Sequence, residues 1–287
     1  MGRPTTAAVS ADAQHRLARE GPQQKPRAGN GQTAARATLA SASSTHIALT
    51  DAFDLTVRGD SVTVPHAVER VLAYLALSHG PVGRARLAGC LWIDASDRLA
   101  ASSLRTALWR LQRDAGPLVV VGDDPLTLAR DIGVDLRQLM NLARGLIDHP
   151  TEVLLALVPT LIAHREVLPD WDDEWIVSDR EHFRLLRLEA LERAAEAFLS
   201  RHEPSKALDA VLAATFAEPL RESSWRLLIE IRLAQGNGAE ALRIYQDYRD
   251  HLDLELGLHP SAAMDALVER YLGACIALSP HARRVPD

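Results

Sequence analysis

Residues 101–114 hold the most chemically pointed side chains of the chain. In the run Ser103-Leu104-Arg105-Thr106-Ala107-Leu108-Trp109-Arg110-Leu111-Gln112-Arg113, Leu104, Ala107, Leu108 and Leu111 recur at helical spacing and mark one apolar stripe. Arg105, Thr106, Trp109, Gln112 and Arg113 fall largely opposite, with Arg110 on the flank. Guanidinium groups match phosphate oxygens and the edge of guanine, and small hydroxyl and amide groups suit base edges. Such a helix carries the chemistry to lie in a DNA major groove, with Thr106 and Gln112 as base readers and Arg105, Arg110 and Arg113 on phosphates. Ser102 and Ser103 add early hydroxyls for phosphate, and Trp109 suits a sugar, a thymine methyl or a neighbouring wing. The competing reading is a solvated amphipathic helix with an arginine-rich outer face, and the surrounding sequence decides between them.

Other chemistry is hard to assemble. The chain has no Gly-x-x-x-x-Gly-Lys-Ser/Thr and no His-Glu-x-x-His. His164, His182, His202 and His251 follow or sit within helical patterns, which points to cap or surface roles. Asp170, Asp172, Asp173 and Glu174 form an acidic corner with Trp171 and Trp175, which reads as solvated or arginine-paired rather than as a cation site. Cys90 and Cys275 are far apart in sequence and read as packed thiols. We therefore expect no enzyme activity, no metal and no cofactor.

The elements that must position the arginine helix are legible on both sides of it. His46 to Val64 reads as three short strands (Ile47 and Leu49; Phe53, Leu55 and Val57; Val62 and Val64), with Arg58-Gly59-Asp60-Ser61 as a tight hairpin. Ala67 to Ser78 is helical with Val68, Val71, Leu72 and Leu75 on one face, and His79-Gly80-Pro81 stops it. A second helix starts near Gly83, buries Leu87, Cys90 and Leu91, and exposes Arg84 and Arg86 at its beginning. The arginine helix, over 101–114, comes third. Leu118–Val121 and Leu126–Ala129 then form a hairpin, so strands, three helices and a hairpin describe a winged helix of the OmpR-like kind. The wing tip, Asp123-Asp124, is acidic and should repel phosphate, which leaves Arg130 as the basic residue of the wing.

From Asp135 onward the pattern is helical: Leu136–Ile147, Val153–His164 and Ser178–Ser200. A repeat follows. Leu191 and Trp225, Ala194 and Leu228, Leu199 and Leu233, and Ala207-Leu208 and Ala241-Leu242 all lie 34 residues apart, the period of a tetratricopeptide (TPR) helix pair. Small residues such as Ala207 and Ala241 let paired helices approach, and Trp225 and Tyr245 are expected to fill the gap between pairs. Gly236-Asn237-Gly238 falls at a turn between helices. The fold class expected is mainly α: an N-terminal α+β winged helix followed by an all-α TPR-like domain. The domains expected are a disordered tail over 1–45, the winged helix over 46–133, the helical domain over 134–273 and a tail over 274–287.

Charge is distributed to match. The formal net charge of −6 argues against nucleic acid only as a total. Six arginines against Asp94 and Asp97 make 84–113 a basic island, whereas 16 basic and 25 acidic residues follow from Asn141 onward. No apolar run reaches the ~18 residues of a membrane span, and no secretory leader is legible, so a cytoplasmic protein is expected, on the nucleoid when bound.

Both halves resemble the Streptomyces antibiotic regulatory proteins (SARPs). In the first, the resemblance rests on Leu87…Leu91-Trp92, Ser102 to Leu111 and Val134-Asp135-Leu136. In the second it rests on Trp171-Asp172-Asp173-Glu174-Trp175, Glu218-Pro219-Leu220-Arg221-Glu222, Gly238 to Tyr245 and Leu254-Glu255-Leu256-Gly257-Leu258-His259-Pro260-Ser261. It implies a transcriptional activator whose third helix enters the major groove of promoter-upstream direct repeats, which contacts RNA polymerase holoenzyme, and whose bacterial transcriptional activation domain aids homodimerisation. The competing function is a TPR-type interaction scaffold with a degenerate winged helix.

Overall fold

The computed structural model describes residues 45–121 and 124–278. The expectations for the N-terminal tail, for Asp123 of the wing tip and for the last nine residues lie outside them. The described residues fall into two compact units that divide after Ala190. The boundary expected at 133/134 lies inside the first.

The first unit begins with an antiparallel meander, β1 (Thr45–Ala48), β2 (Asp54–Val57) and β3 (Asp60–Ser61), with Ile47 opposite Leu55. Arg58 and Gly59 both take positive φ (54° and 92°) and make the β2–β3 turn, the backbone that a two-residue hairpin needs. Helices α1 (His66–Leu77), α2 (Arg84–Leu91) and α3 (Asp97–Asp114) follow. They share a core of Val68, Val71, Leu72, Leu75, Leu87, Leu91, Leu104, Ala107 and Leu111, all buried. Strands β4 (Val119–Val121) and β5 (Leu126–Leu128) form the wing. Val82 and Leu126 exchange backbone hydrogen bonds of 2.8 Å, so the wing is tied to the entry of α2. The chain is thus a winged helix followed by an all-α, TPR-like region.

Strand β6 (Ile132–Val134) was not foreseen. It returns parallel to β1 and completes a sheet of order β3-β2-β1-β6. The next residue, Asp135, opens α4 (Asp135–Asp148) and is 2% exposed. Its Oδ1 accepts from the backbone N–H of Leu49 (2.8 Å) and Leu136 (2.6 Å). Its Oδ2 accepts from the backbone N–H (3.1 Å) and hydroxyl (2.6 Å) of Thr50. A carboxylate at a helix start is favoured by the helix dipole, and here it also satisfies the backbone leaving β1. The Thr50 proton goes to that carboxylate, so His164 Nδ1, 2.7 Å from the same hydroxyl, is the donor.

His164 was expected at a surface or cap. It does follow the last residue of α6 (Val158–Ala163), but its side chain is 3% exposed and belongs to this network, with Asp51 Oδ2 3.6 Å away. The single helix expected over Val153–His164 is two, α5 (Glu152–Leu155) and α6, because Pro159 has no N–H to donate and sits in the first turn of the second. Two arginines close other helix ends, Arg137 from a partly exposed position and Arg187 from a buried one. Arg137 donates to the carbonyls of Leu75, Ala76 and Ser78 at the end of α1. Arg187 donates to those of Leu161 and Ile162, and burial pushes its guanidinium down to about 10. In the acidic corner Asp173 accepts from Arg70 and from Trp175 Nε1 (3.0 Å), an arginine-paired arrangement.

Helix α7 (Val177–Ser200) leads into the second unit, with α8 (Pro204–Ala217), α9 (Glu222–Ala234), α10 (Gly238–Leu256) and α11 (Ala262–Leu278). Ala207, Ala210, Val211, Ala214 and Ala241 are buried, and α8 packs on α9 and α9 on α10. The aromatic that stacks on Trp225 is Tyr248 (centroids 5.4 Å apart), not Tyr245, whose hydroxyl instead donates to Asp265 at 2.7 Å. Three residues along a helix is nearly one turn, so both tyrosines lie close to one face and the sequence alone does not separate them. Arg221, Ser223 and Ser224 all donate to Glu192, with contacts of 2.6–2.9 Å. Burial opposes its charge, yet these donors hold the carboxyl below the usual carboxylate range.

Replacing Asp135 with Ala leaves three backbone N–H groups and a hydroxyl without their acceptor. We expect a loss of about 3 kcal/mol or more, read as a fall in the denaturation midpoint. Asp135→Asn keeps one acceptor oxygen and should lose less.

Candidate nucleic-acid interface

The outer face of α3 is built by what its inner face must bury. Leu104, Ala107 and Leu111 are buried and Leu108 half-buried, so the remainder of the circumference is turned to solvent. Arg105, Thr106, Trp109, Arg110, Gln112, Arg113 and Ser102 are exposed, and Ser103 is half-buried. Arg105 and Arg110 are five residues apart, which places them about 140° apart around the axis. Midway between them lie Ser102, Thr106, Trp109 and Arg113. Two arginines therefore flank a centre line, and neither makes an ion pair among the described residues.

The third arginine is used differently. Arg113 donates to both carboxylate oxygens of Asp114, at 2.6 and 2.9 Å, and its guanidinium carbon lies 4.9 Å from the centre of the Trp109 ring. Mutual attraction raises the Arg113 pKa and lowers that of Asp114. Trp109 is 60% exposed, so it does not tuck under the wing. Thr106 donates its hydroxyl to the Ser102 carbonyl at 3.0 Å, which leaves an acceptor lone pair and a methyl group facing outward. Gln112 stands beside the Arg105 flank, and Ser103 on the flank of Arg110.

The helix also begins earlier than the sequence reading placed it. It starts at Asp97, with Ser96 at the N-cap position, and the extra turn brings exposed Arg98 onto the outer face below Ser102 and Arg105. The Ser96-Asp97 pair is an N-terminal signal that could have found Arg98.

Arg84 and Arg86 open α2, the first half-buried and the second exposed beside the Tyr74 hydroxyl. Arg130 is exposed after β5. Asp124 is not an idle acid: its Oδ1 accepts from the Arg84 backbone N–H at 2.9 Å and closes the start of α2 from 40 residues away. Cys90 is half-buried and accepts from Tyr74 Oη at 3.6 Å. No group of metal-ligating side chains gathers among the described residues, and no helix there is long and apolar enough to cross a membrane.

Comparison with known proteins agrees with this architecture. The bacterial transcriptional activator domain matches residues 163–272. Regulatory protein AfsR of Streptomyces coelicolor is 29% identical over 221 residues, 73% of this chain and 22% of that protein. AfsR of Streptomyces griseus is 29% identical over 225 residues, 71% of this chain and 22% of its own. Residues 163–272 carry the bacterial transcriptional activator domain, and the chain is similar to SARP-type regulators over most of its length. It spans about a fifth of the length of these relatives. Among solved structures, Mycobacterium tuberculosis EmbR in complex with a low affinity phosphopeptide superposes with a TM-score of 0.68 at 22% identity, over 81% of this chain and 66% of that one. That likeness is one of fold, a winged helix followed by a helical region, over most of the chain.

Asp124→Ala removes an acid from the wing and an acceptor from α2. We expect it to lower stability by about 1 kcal/mol in chemical denaturation. Unchanged stability would mean that the carboxylate is merely solvated.

Proposed function

We propose that this chain is a sequence-specific, double-stranded-DNA-binding transcriptional activator in which α3 lies in the major groove. The observation that carries the reading is the pair of exposed arginines, Arg105 and Arg110, neither in a salt bridge among the described residues, on either side of the outer face of a third helix in a winged-helix fold. A helix in the groove has phosphates on both walls, and two cations about 140° apart address one wall each. Arg98 adds charge on this face, and Arg84 and Arg86 at the start of α2 and Arg130 after β5 are the further cations proposed to meet DNA. The family resemblance supports binding to direct repeats upstream of a promoter, contact with RNA polymerase holoenzyme and pairing of two copies through the helical domain. It also supports action in the cytoplasm, on the nucleoid.

Arg105→Ala with Arg110→Ala should abolish gel-shift binding to promoter DNA while the melting temperature stays unchanged. Each single change should flatten the dependence of log affinity on log salt by about 0.9. Binding that survives the double change would assign DNA contact to another face.

A further inference from the structure

Trp109 is a large aromatic side chain left 60% exposed on the centre line of α3. It is also held. The Arg113 guanidinium lies 4.9 Å from its ring centre, and Asp114 holds that guanidinium through both carboxylate oxygens. Planar guanidinium on an aromatic face is an attractive contact of its own. The carboxylate cancels the charge of Arg113, so the pair offers the duplex an oriented indole rather than a third free cation. Beside it, Thr106 has spent its hydroxyl proton on the Ser102 carbonyl and shows a methyl group. The centre line therefore shows an indole and a methyl group beside the Ser102 hydroxyl, between two cationic flanks.

In the major groove the apolar group on the base edges is the C5-methyl of thymine, and it lies on the floor. Sugars and phosphates form the walls, which the flanks bearing Arg105 and Arg110 address. We infer that Trp109 contacts a thymine methyl, and that Asp114, acting through Arg113, is the positioning residue that holds the indole for it. The inference rests on the reading of α3 as the helix in the groove.

The test uses the full chain and a duplex selected by it from a random pool. Each thymine is replaced singly by deoxyuridine, which removes only the methyl. One thymine per half-site should show a loss of about fourfold, what burying a single methyl is worth. Trp109→Ala should bind the thymine and uracil duplexes equally, and Trp109→Phe should keep part of the preference. Asp114→Asn should lose the preference, bind random-sequence duplex more tightly and steepen the salt dependence by about 0.9 as Arg113 is freed for phosphate. Asp114→Glu should restore the preference.

A flat uracil scan overturns the thymine contact while leaving DNA binding intact. Because that scan uses the unaltered chain, it decides the matter whatever the variants do to folding. A preference that persists in Asp114→Asn overturns the positioning role. Selection of no duplex at all would instead count against the DNA-binding reading on which the inference stands.

Discussion

One buried carboxylate holds the first unit together. Asp135 follows β6 and begins α4, and its two oxygens take the backbone and hydroxyl donors of Leu49 and Thr50 just after β1. A parallel pairing such as β1–β6 has no hairpin to define its register. The carboxylate supplies that register by tying the end of one strand to the residue after the other. With β6 fixed beside β1, the segment between them, which contains all three helices and the wing, begins and ends at adjacent points. The Thr50 hydroxyl passes the constraint on to His164, so the end of α6 is fixed to the same place. A buried charge is costly unless its lone pairs are filled, and four donors fill these.

Arginine serves two ends in this chain, and the presence or absence of a carbonyl or carboxylate partner separates them. Arg137 and Arg187 are drawn inward to satisfy carbonyls at helix ends, at the expense of a depressed guanidinium pKa in each case. Arg70 neutralises Asp173 in the acidic corner. Arg105 and Arg110 have no such duty, because the inner stripe of α3 consists of Leu104, Ala107 and Leu111 and asks for nothing polar. Their charge remains available to a ligand. Arg113 stands between these cases, exposed yet committed to Asp114 and Trp109. Composition treats Arg105, Arg110 and Arg113 alike, and position gives them different work.

Much of this was legible in the residues. The apolar faces of α1 and α3 repeat at helical spacing, the wing is a β-branched run broken at a turn, and the 34-residue period marks the paired helices. What escaped has physical causes. Strand β6 is three residues long and contains Gly133, too short to show alternation. Asp135 looks like an ordinary first-turn acid, and its four donors come from 85 or 86 residues away or from its own neighbour, which no local pattern encodes. Arg98 was missed by placing the helix start one turn late. His164 and Tyr248 are types found equally at surfaces and in cores, and only packing assigns them. The partnering of Arg113 with Asp114 was readable as adjacency, but the stack on Trp109 needed coordinates.

In the proposed complex Arg105 and Arg110 grip the two walls of one major groove. Phosphate ethylation interference on a selected duplex measures this directly, with the unaltered chain beside Arg105→Ala and Arg110→Ala. The account predicts interference on both strands across a single major groove per bound copy, with each substitution erasing the signal on one strand and sparing the other. Interference confined to one strand, centred on the minor groove, or unmoved by both substitutions would contradict it.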